Sequence, residues 1–192
     1  MEQASKKNKA LNGLKSVLEY LNIDPNDEGV KRTPERVLKY LEDCCSGYDQ
    51  DPKGVLSTTF TGKQYNDFVL LKEIEFKSTC EHHLLPIIGK VSIAYFPKNR
   101  IVGISKLARI VDIFANRLQL QERMTIEILE AINKHLPNKG IAVFVSAVHY
   151  CIKIAGVKKI NPVMYTSSFT GNFKKNKKDR DRFLDYTLHT SS

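Results

Sequence analysis

Apolar residues recur at helical spacing near the start of the chain. Leu11, Leu14, Val17, Leu18 and Leu21 share one face, which predicts an amphipathic helix over the first ~20 residues. Asp24-Pro25-Asn26-Asp27 breaks that pattern. Thr33-Pro34 then opens a second helix: a side-chain oxygen at the cap is followed by proline where no helical N–H is required. Val37, Leu38, Leu41, Cys44 and Cys45 form its apolar face, and Ser46-Gly47 closes it. The stretch 49–67 is polar and turn-rich and is expected to be a linker.

From Asp67 the period changes to two. Phe68, Leu70, Ile74 and Phe76 alternate, with Lys72 on the same side, predicting a strand over 68–77. A loop carrying a Cys/His cluster runs to Pro86. A second strand is predicted over 88–96, with Val91, Ile93 and Tyr95 on one face, and Pro97-Lys98-Asn99-Arg100 turns the chain. Ser105 reads as the cap of a helix whose inner face is Leu107, Ile110, Val111 and Phe114. Another helix is expected from about Glu122, with Met124, Ile128, Ala131 and Ile132 inward, until Pro137-Asn138-Lys139-Gly140 stops it. The most apolar strand is predicted over 141–152, and a last helix near 177–188. There is no internal repeat, no dinucleotide-binding glycine pattern and no P-loop. Helices flank strands without a βαβ rhythm, so the expected class is α+β with an antiparallel sheet. The expected division is a helical region over 1–48, a linker over 49–67 and the main domain over 68–192.

Composition narrows the setting. Of 192 residues, 42% are apolar, enough for a core, but no run approaches the ~18 residues of a membrane span. The N-terminus is polar and lacks the apolar stretch of a secretory signal, so a cytoplasmic protein with reduced thiols is expected. The adjacent Cys44 and Cys45 read as small apolar packing residues. The net charge is +9, and nine Lys/Arg against three Asp/Glu fall between Lys153 and the end. An excess of that sign suits an anionic partner. The basic run lacks the interleaved aromatics of a nucleic-acid stacking platform, so nucleotide phosphates are the better match and no nucleic acid is expected.

The candidate chemistry lies in two short segments, Ser78-Thr79-Cys80-Glu81-His82-His83 and Val148-His149-Tyr150-Cys151. Cys80, His83 and Cys151 form a zinc-type donor set, and three protein ligands leave one tetrahedral position for water, as catalytic zinc requires. Cys80 and His83 have a C-x-x-H spacing, a common chelating span. His82 and His149 are spare imidazoles able to move protons near neutral pH. If the 141–152 strand is regular, Ile141, Val143, Val145, Ala147, His149 and Cys151 share one face, placing His149 beside a metal ligand.

These segments resemble a known family. Ser78 to Pro86, followed by Gly89-Lys90, is similar to the zinc loop of GTP cyclohydrolase I. The resemblance continues through Gly103-Ile104-Ser105-Lys106-Leu107-Ala108-Arg109-Ile110-Val111, Gln119-Leu120-Gln121-Glu122-Arg123-Met124-Thr125 and Ala147-Val148-His149-Tyr150-Cys151. Upstream, Arg32-Thr33-Pro34-Glu35-Arg36 and Ser46-Gly47-Tyr48 also fit, as do Thr166-Ser167, Gly171 and Phe173. The resemblance implies hydrolysis of GTP at C8 with release of formate, then rearrangement to 7,8-dihydroneopterin triphosphate. It implies Zn2+ held by Cys80, His83 and Cys151. His149 would protonate the purine and shuttle protons, His82 would assist ring opening, and Ser105 would act in the ribose rearrangement. Glu122, with Gln121 nearby, would hold the guanine edge; Lys106, Arg109, Arg36 and Lys39 would meet the triphosphate. It further implies a tunnelling-fold subunit (T-fold) of a homodecamer of two pentamers, with active sites at subunit interfaces.

One departure stands out. The family pattern has an arginine four positions after the last zinc cysteine, a triphosphate contact; here that position is Ala155, in Cys151-Ile152-Lys153-Ile154-Ala155-Gly156. Losing a charge-assisted contact costs about 1.5–3 kcal/mol, so weaker GTP binding is expected, with Lys153 or Lys158 as candidate substitutes. A GTP ring-opening hydrolase that stops at a formamide or pyrimidine stage is the alternative.

Overall fold

A computed structural model describes residues 2–61 and 65–189. The chain divides into two units, residues 1–45 and 46–192. In the first, α1 (Glu2–Tyr20) and α2 (Thr33–Cys44) follow the predicted periodicity. Leu11, Leu14 and Leu18 of α1 are half-covered, and Lys7 pairs with Glu42 of α2 at 3.7 Å. Arg32 rather than Thr33 occupies the cap position of α2, with proline just inside the helix.

The second unit is built on a five-stranded sheet of order β5-β2-β3-β6-β7. Its strands are β2 (Val69–Cys80), β3 (Pro86–Pro97), β5 (Leu118–Gln119), β6 (Asn138–His149) and β7 (Met164–Phe169). All neighbours are antiparallel except β2 and β5. The helices are α3 (Pro52–Leu56), α4 (Ile104–Ala115), α5 (Gln121–His135), α6 (Tyr150–Lys153), α7 (Gly171–Lys175) and α8 (Lys177–Leu188). A separate two-stranded ribbon pairs β1 (Thr59–Thr61) with β4 (Arg100–Val102). The class is the one the patterning predicts, helices flanking an antiparallel sheet.

The period-2 alternation decides which face carries which helices. Val91, Ile93 and Tyr95 of β3 and Ile141, Val143, Val145 and Ala147 of β6 are buried against Leu107, Ile110 and Val111 of α4 and Met124, Ile128 and Ile132 of α5. Ala94, Phe96 and Ala142 point the other way, into a smaller cluster with Phe68, Phe173 of α7 and Phe183 of α8. Helices thus cover both faces. No helix among the described residues is long and apolar enough to cross a membrane.

Three local expectations change. The segment read as a linker holds α3 and β1, and Leu56 in it is fully buried in the core. β2 is not regular: its register against β3 shifts between Leu71 and Ile74, with Glu73 at φ 60°. That is a one-residue bulge, which reverses the alternation on either side of it. Lastly, the strand predicted over 141–152 stops at His149, and Tyr150–Lys153 forms a helical turn. The reason is pairing: Ile87 opposite His149 is the last rung between β3 and β6, so nothing continues the ladder beyond it. Strand β7 and helix α7 have no counterpart in the sequence pattern, because their apolar positions are few and widely spaced.

Candidate active site

The sheet brings both sequence segments to one end. Cys80 is the last residue of β2, paired beside Gln119 of β5, and His149 is the last residue of β6. The chain between β2 and β3 is a tight turn. Leu84 N–H donates to Cys80 O at 2.9 Å and Cys80 N–H to Leu85 O at 2.8 Å, with Leu84 at φ 54°. This turn leaves His82 and His83 exposed above the buried Cys80.

Cys80 Sγ lies 3.8 Å from His83 Nδ1. The donor atoms of Cys80, His82 and His83 all fall within 4.8 Å of one another. Cys151 joins them through Cys80: burial pushes the Cys151 thiol's pKa up, and the adjacent Cys80 thiol pushes it the same way. Cys151 reaches that position from the first turn of α6, not from a continued strand face. Two thiols and at least one imidazole within reach of each other suit a borderline-soft divalent ion such as zinc. His82 is near enough to compete with Cys151 for a place, while its Nε2 also faces Glu81 at 3.9 Å.

His149, two residues before Cys151, is half-buried. Burial lowers its pKa, and the Glu122 carboxylate opposes that shift. Its Nε2 lies 2.8 Å from Oε1 of Gln121. Gln121 is 1% exposed, and its amide nitrogen faces Val145 O, Met164 O and Thr166 Oγ1. A seat at the guanine edge would require it to give up one of these partners. Glu122, the next residue, is exposed, and its carboxylate forms no hydrogen bond or ion pair among the described residues.

Three other expected site residues, Ser105, Lys106 and Arg109, lie elsewhere in the second unit. Ser105 sits inside the first turn of α4 and Gly103 takes the cap position. Lys106 and Arg109 follow on the same helix. That end of α4 adjoins the far end of the sheet, where Val102 N–H donates to Tyr95 Oη. Cys80 instead adjoins the segment after α4 has ended, and Ser105 is about 15 Å up the helix from there. One chain therefore does not bring Ser105, Lys106 and Arg109 to the cysteines. Arg36 and Lys39 are exposed one turn apart on α2, and Lys39 pairs with Asp43 at 2.7 Å.

Beyond Cys151, Ala155 lies in a folded loop: Lys158 N–H donates to Ala155 O at 3.3 Å and Lys159 N–H to Ile152 O at 3.0 Å. Lys153 is not on a strand face with Cys151; it lies on α6 with Nζ 5.6 Å from the Tyr150 ring centre. Sequence reasoning missed Arg123, which bonds to Glu81 and donates to Leu118 O and Gln119 Oε1. Its place in the Gln119–Thr125 motif was the only signal.

Comparison with known proteins identifies the family of the chain. The sequence model described as GTP cyclohydrolase I matches residues 10–188. The chain is 47% identical to GTP cyclohydrolase 1 of Campylobacter concisus, over 90% of this chain and 91% of that protein. It is 45% identical to GTP cyclohydrolase 1 of Rickettsia bellii, over 94% of this chain and 95% of that protein. Among solved structures it is similar to the apo form of the archaeosine synthase QueF-Like, with TM-score 0.47 and 19% identity over 56% of this chain and 97% of that one. By the extent and identity of its match, the chain belongs to the GTP cyclohydrolase I family.

Proposed function

We propose that the protein is a zinc-dependent GTP cyclohydrolase. It hydrolyses GTP at C8, releases formate and rearranges the remainder to 7,8-dihydroneopterin triphosphate, a first step toward pterins and folates. The observation that supports this is the Cys80 thiol 3.8 Å from His83 Nδ1 with the Cys151 thiol adjacent to it, in a chain of this family.

Cys80, His83 and Cys151 would hold the ion. The chemistry supplied by zinc when bound is Lewis acidity, which lets water act as a nucleophile near neutral pH. His149 would deliver a proton to the imidazole nitrogen of guanine beside C8, making that carbon electrophilic, and later return protons as the ring opens. His82, exposed on the turn, would assist ring opening. The Glu122 carboxylate would accept from two N–H groups on the guanine edge, a pairing that adenine lacks. Lys106, Arg109, Arg36 and Lys39 would bind the triphosphate, and Ser105 would act on the ribose.

The separation of Ser105, Lys106 and Arg109 from the cysteines supports a site shared between copies of the chain. A tunnelling-fold subunit in a decamer of two pentamers, working in the cytoplasm, meets that need. Within it, residues 68–192 would be the catalytic domain and 1–48 a helical extension. With Ala155 at a position where arginine would clamp phosphate, KM for GTP is expected to be raised; Lys153 cannot reproduce bidentate phosphate geometry.

The test is zinc analysis combined with a fluorescence assay for oxidised neopterin and chromatography of the products. Stoichiometric zinc and dihydroneopterin triphosphate are expected, with kcat/KM reduced about 100-fold in Glu122→Gln. Zinc-loaded protein that yields no product at any GTP concentration would overturn the reading. Accumulation of a formamide or pyrimidine would favour a ring-opening hydrolase.

A further inference from the structure

A closed ring of hydrogen bonds lies beneath His149, and its direction can be read without seeing a hydrogen. Gln121 Nε2 is 3.3 Å from Val145 O and 3.1 Å from Met164 O. Backbone carbonyls only accept, so the amide must turn its NH2 toward β6 and β7. Its carbonyl oxygen is then the atom 2.8 Å from His149 Nε2. That oxygen also only accepts, so the imidazole must present an N–H there.

The remaining members leave no freedom to reverse this. Thr125 Oγ1 donates its only hydrogen to the Gln121 backbone carbonyl at 2.7 Å. The 2.7 Å contact between Thr125 and Thr166 therefore has Thr166 as donor. Thr166 Oγ1 in turn accepts from Gln121 Nε2 at 3.1 Å. Gln121 and Thr125 are each 1% exposed, and a buried amide flipped the other way would set its oxygen against two carbonyl oxygens, leaving its NH2 without them.

We infer that Gln121 is a positioning residue, held by Thr125 and Thr166, that orients the His149 ring and keeps a hydrogen on its Nε2. The use of that ring on a purine rests on the cyclohydrolase reading; the tautomer does not. The arrangement follows a general pattern in which the partner of one ring nitrogen decides the chemistry of the other. It also separates two adjacent residues: Glu122 is turned outward, and Gln121 acts through His149 without touching guanine.

The test uses the full-length, metal-loaded protein with 15N in its histidine rings, measured by magic-angle-spinning NMR at about pH 8, where a neutral imidazole dominates. The His149 signals are assigned by their loss in His149→Asn. The expected result is a protonated Nε2 and an unprotonated Nδ1, with Gln121→Met giving a mixture of both tautomers. In kinetics, Gln121→Met should lower kcat by about 10- to 100-fold with KM for GTP nearly unchanged. Thr166→Val, which keeps both the amide and the imidazole, should shift the same readouts in the same direction by less, and serves if Gln121→Met does not fold. An Nδ1–H tautomer in the native protein would overturn the inference. So would an unchanged tautomer in both variants, or a raised KM at constant kcat in Gln121→Met, which would put the amide on the substrate. If the native protein makes no pterin, the cyclohydrolase reading fails while the NMR result still decides the tautomer.

Discussion

The carboxylate of Glu81, the residue after Cys80, is bonded to the guanidinium of Arg123 on α5. The same guanidinium donates to Leu118 O at 2.9 Å and Gln119 Oε1 at 3.1 Å. One side chain thus ties the cysteine-bearing turn, the short parallel strand β5 and the start of the helix that carries Gln121 and Glu122.

Arg123→Met should loosen that turn before it threatens the fold. The pair is partly exposed, so solvent screens much of its strength, and a loss of about 1 kcal/mol in urea unfolding is expected. The larger effect should be faster zinc release to a chelator, by about 10-fold, because His82 and His83 lose their anchored support. A release rate equal to that of the unmodified protein would show that the turn holds itself.

The crowding of Cys80, His82 and His83 within 4.8 Å makes the ligand set a measurable choice. Alanine at Cys80, His83 or Cys151 should weaken zinc retention by more than about 100-fold. His82→Ala should retain zinc through gel filtration and lose turnover. Metal analysis of the four variants decides the matter, and retention by Cys151→Ala with loss from His82→Ala would exchange their roles.

Gly171, with φ 52°, opens α7 against the backbone of β6. A Cβ there would stand 2.1 Å from Lys139 O and 2.5 Å from Gly140 Cα. Neither obstacle is a side-chain tip that could swing away, so Gly171→Ala should cost about 3 kcal/mol and lower the melting temperature by well over 5 °C, on the order expected for such a loss. Unchanged thermal unfolding would mean that α7 can detach from the sheet at little cost.

Tyr95 is 1% exposed, and its hydroxyl accepts from Val102 N–H at 3.2 Å. Burial raises its pKa above the ordinary 10.0. The protonated phenol is therefore favoured by folding: its contribution is complete below the unfolded value and drains away as pH rises through the folded one. Tyr95→Phe should be less stable by about 1–2 kcal/mol at neutral pH, where Val102 N–H loses its acceptor. Above about pH 10 the gap should narrow, since the variant has no phenol to ionise there. Denaturant midpoints at several pH values would test this, and a constant gap would rule out the titration.

Residues whose meaning is local were legible in the chain itself. Val91, Ile93 and Tyr95 could be assigned to one face of β3 because alternation is a property of the strand alone. The inner faces of α4 and α5 followed from Leu107, Ile110 and Val111 and from Met124, Ile128 and Ile132, which repeat at helical spacing. The Cys80 to His83 span pointed to a chelating turn on chemistry alone, and the motifs from Cys80 to Cys151 pointed to the family. Other features depended on partners distant in sequence. Where β6 stops was set by β3 running out of rungs at Ile87, which moved Cys151 onto a helical turn. Leu56, in a stretch too polar to predict, is core because it packs with residues of α4 and α5. The partners of the Gln121 amide, Val145, Met164 and Thr166, all lie more than twenty residues away in the chain. The sequence by itself determined the residue types, the periodicities and the donor chemistry, since these are fixed one side chain at a time. Only the tertiary structure decided that Cys151 meets Cys80, that Ser105 stands apart from both, and which way the hydrogen bonds beneath His149 run, because each of those depends on backbone groups that only the packed sheet brings together.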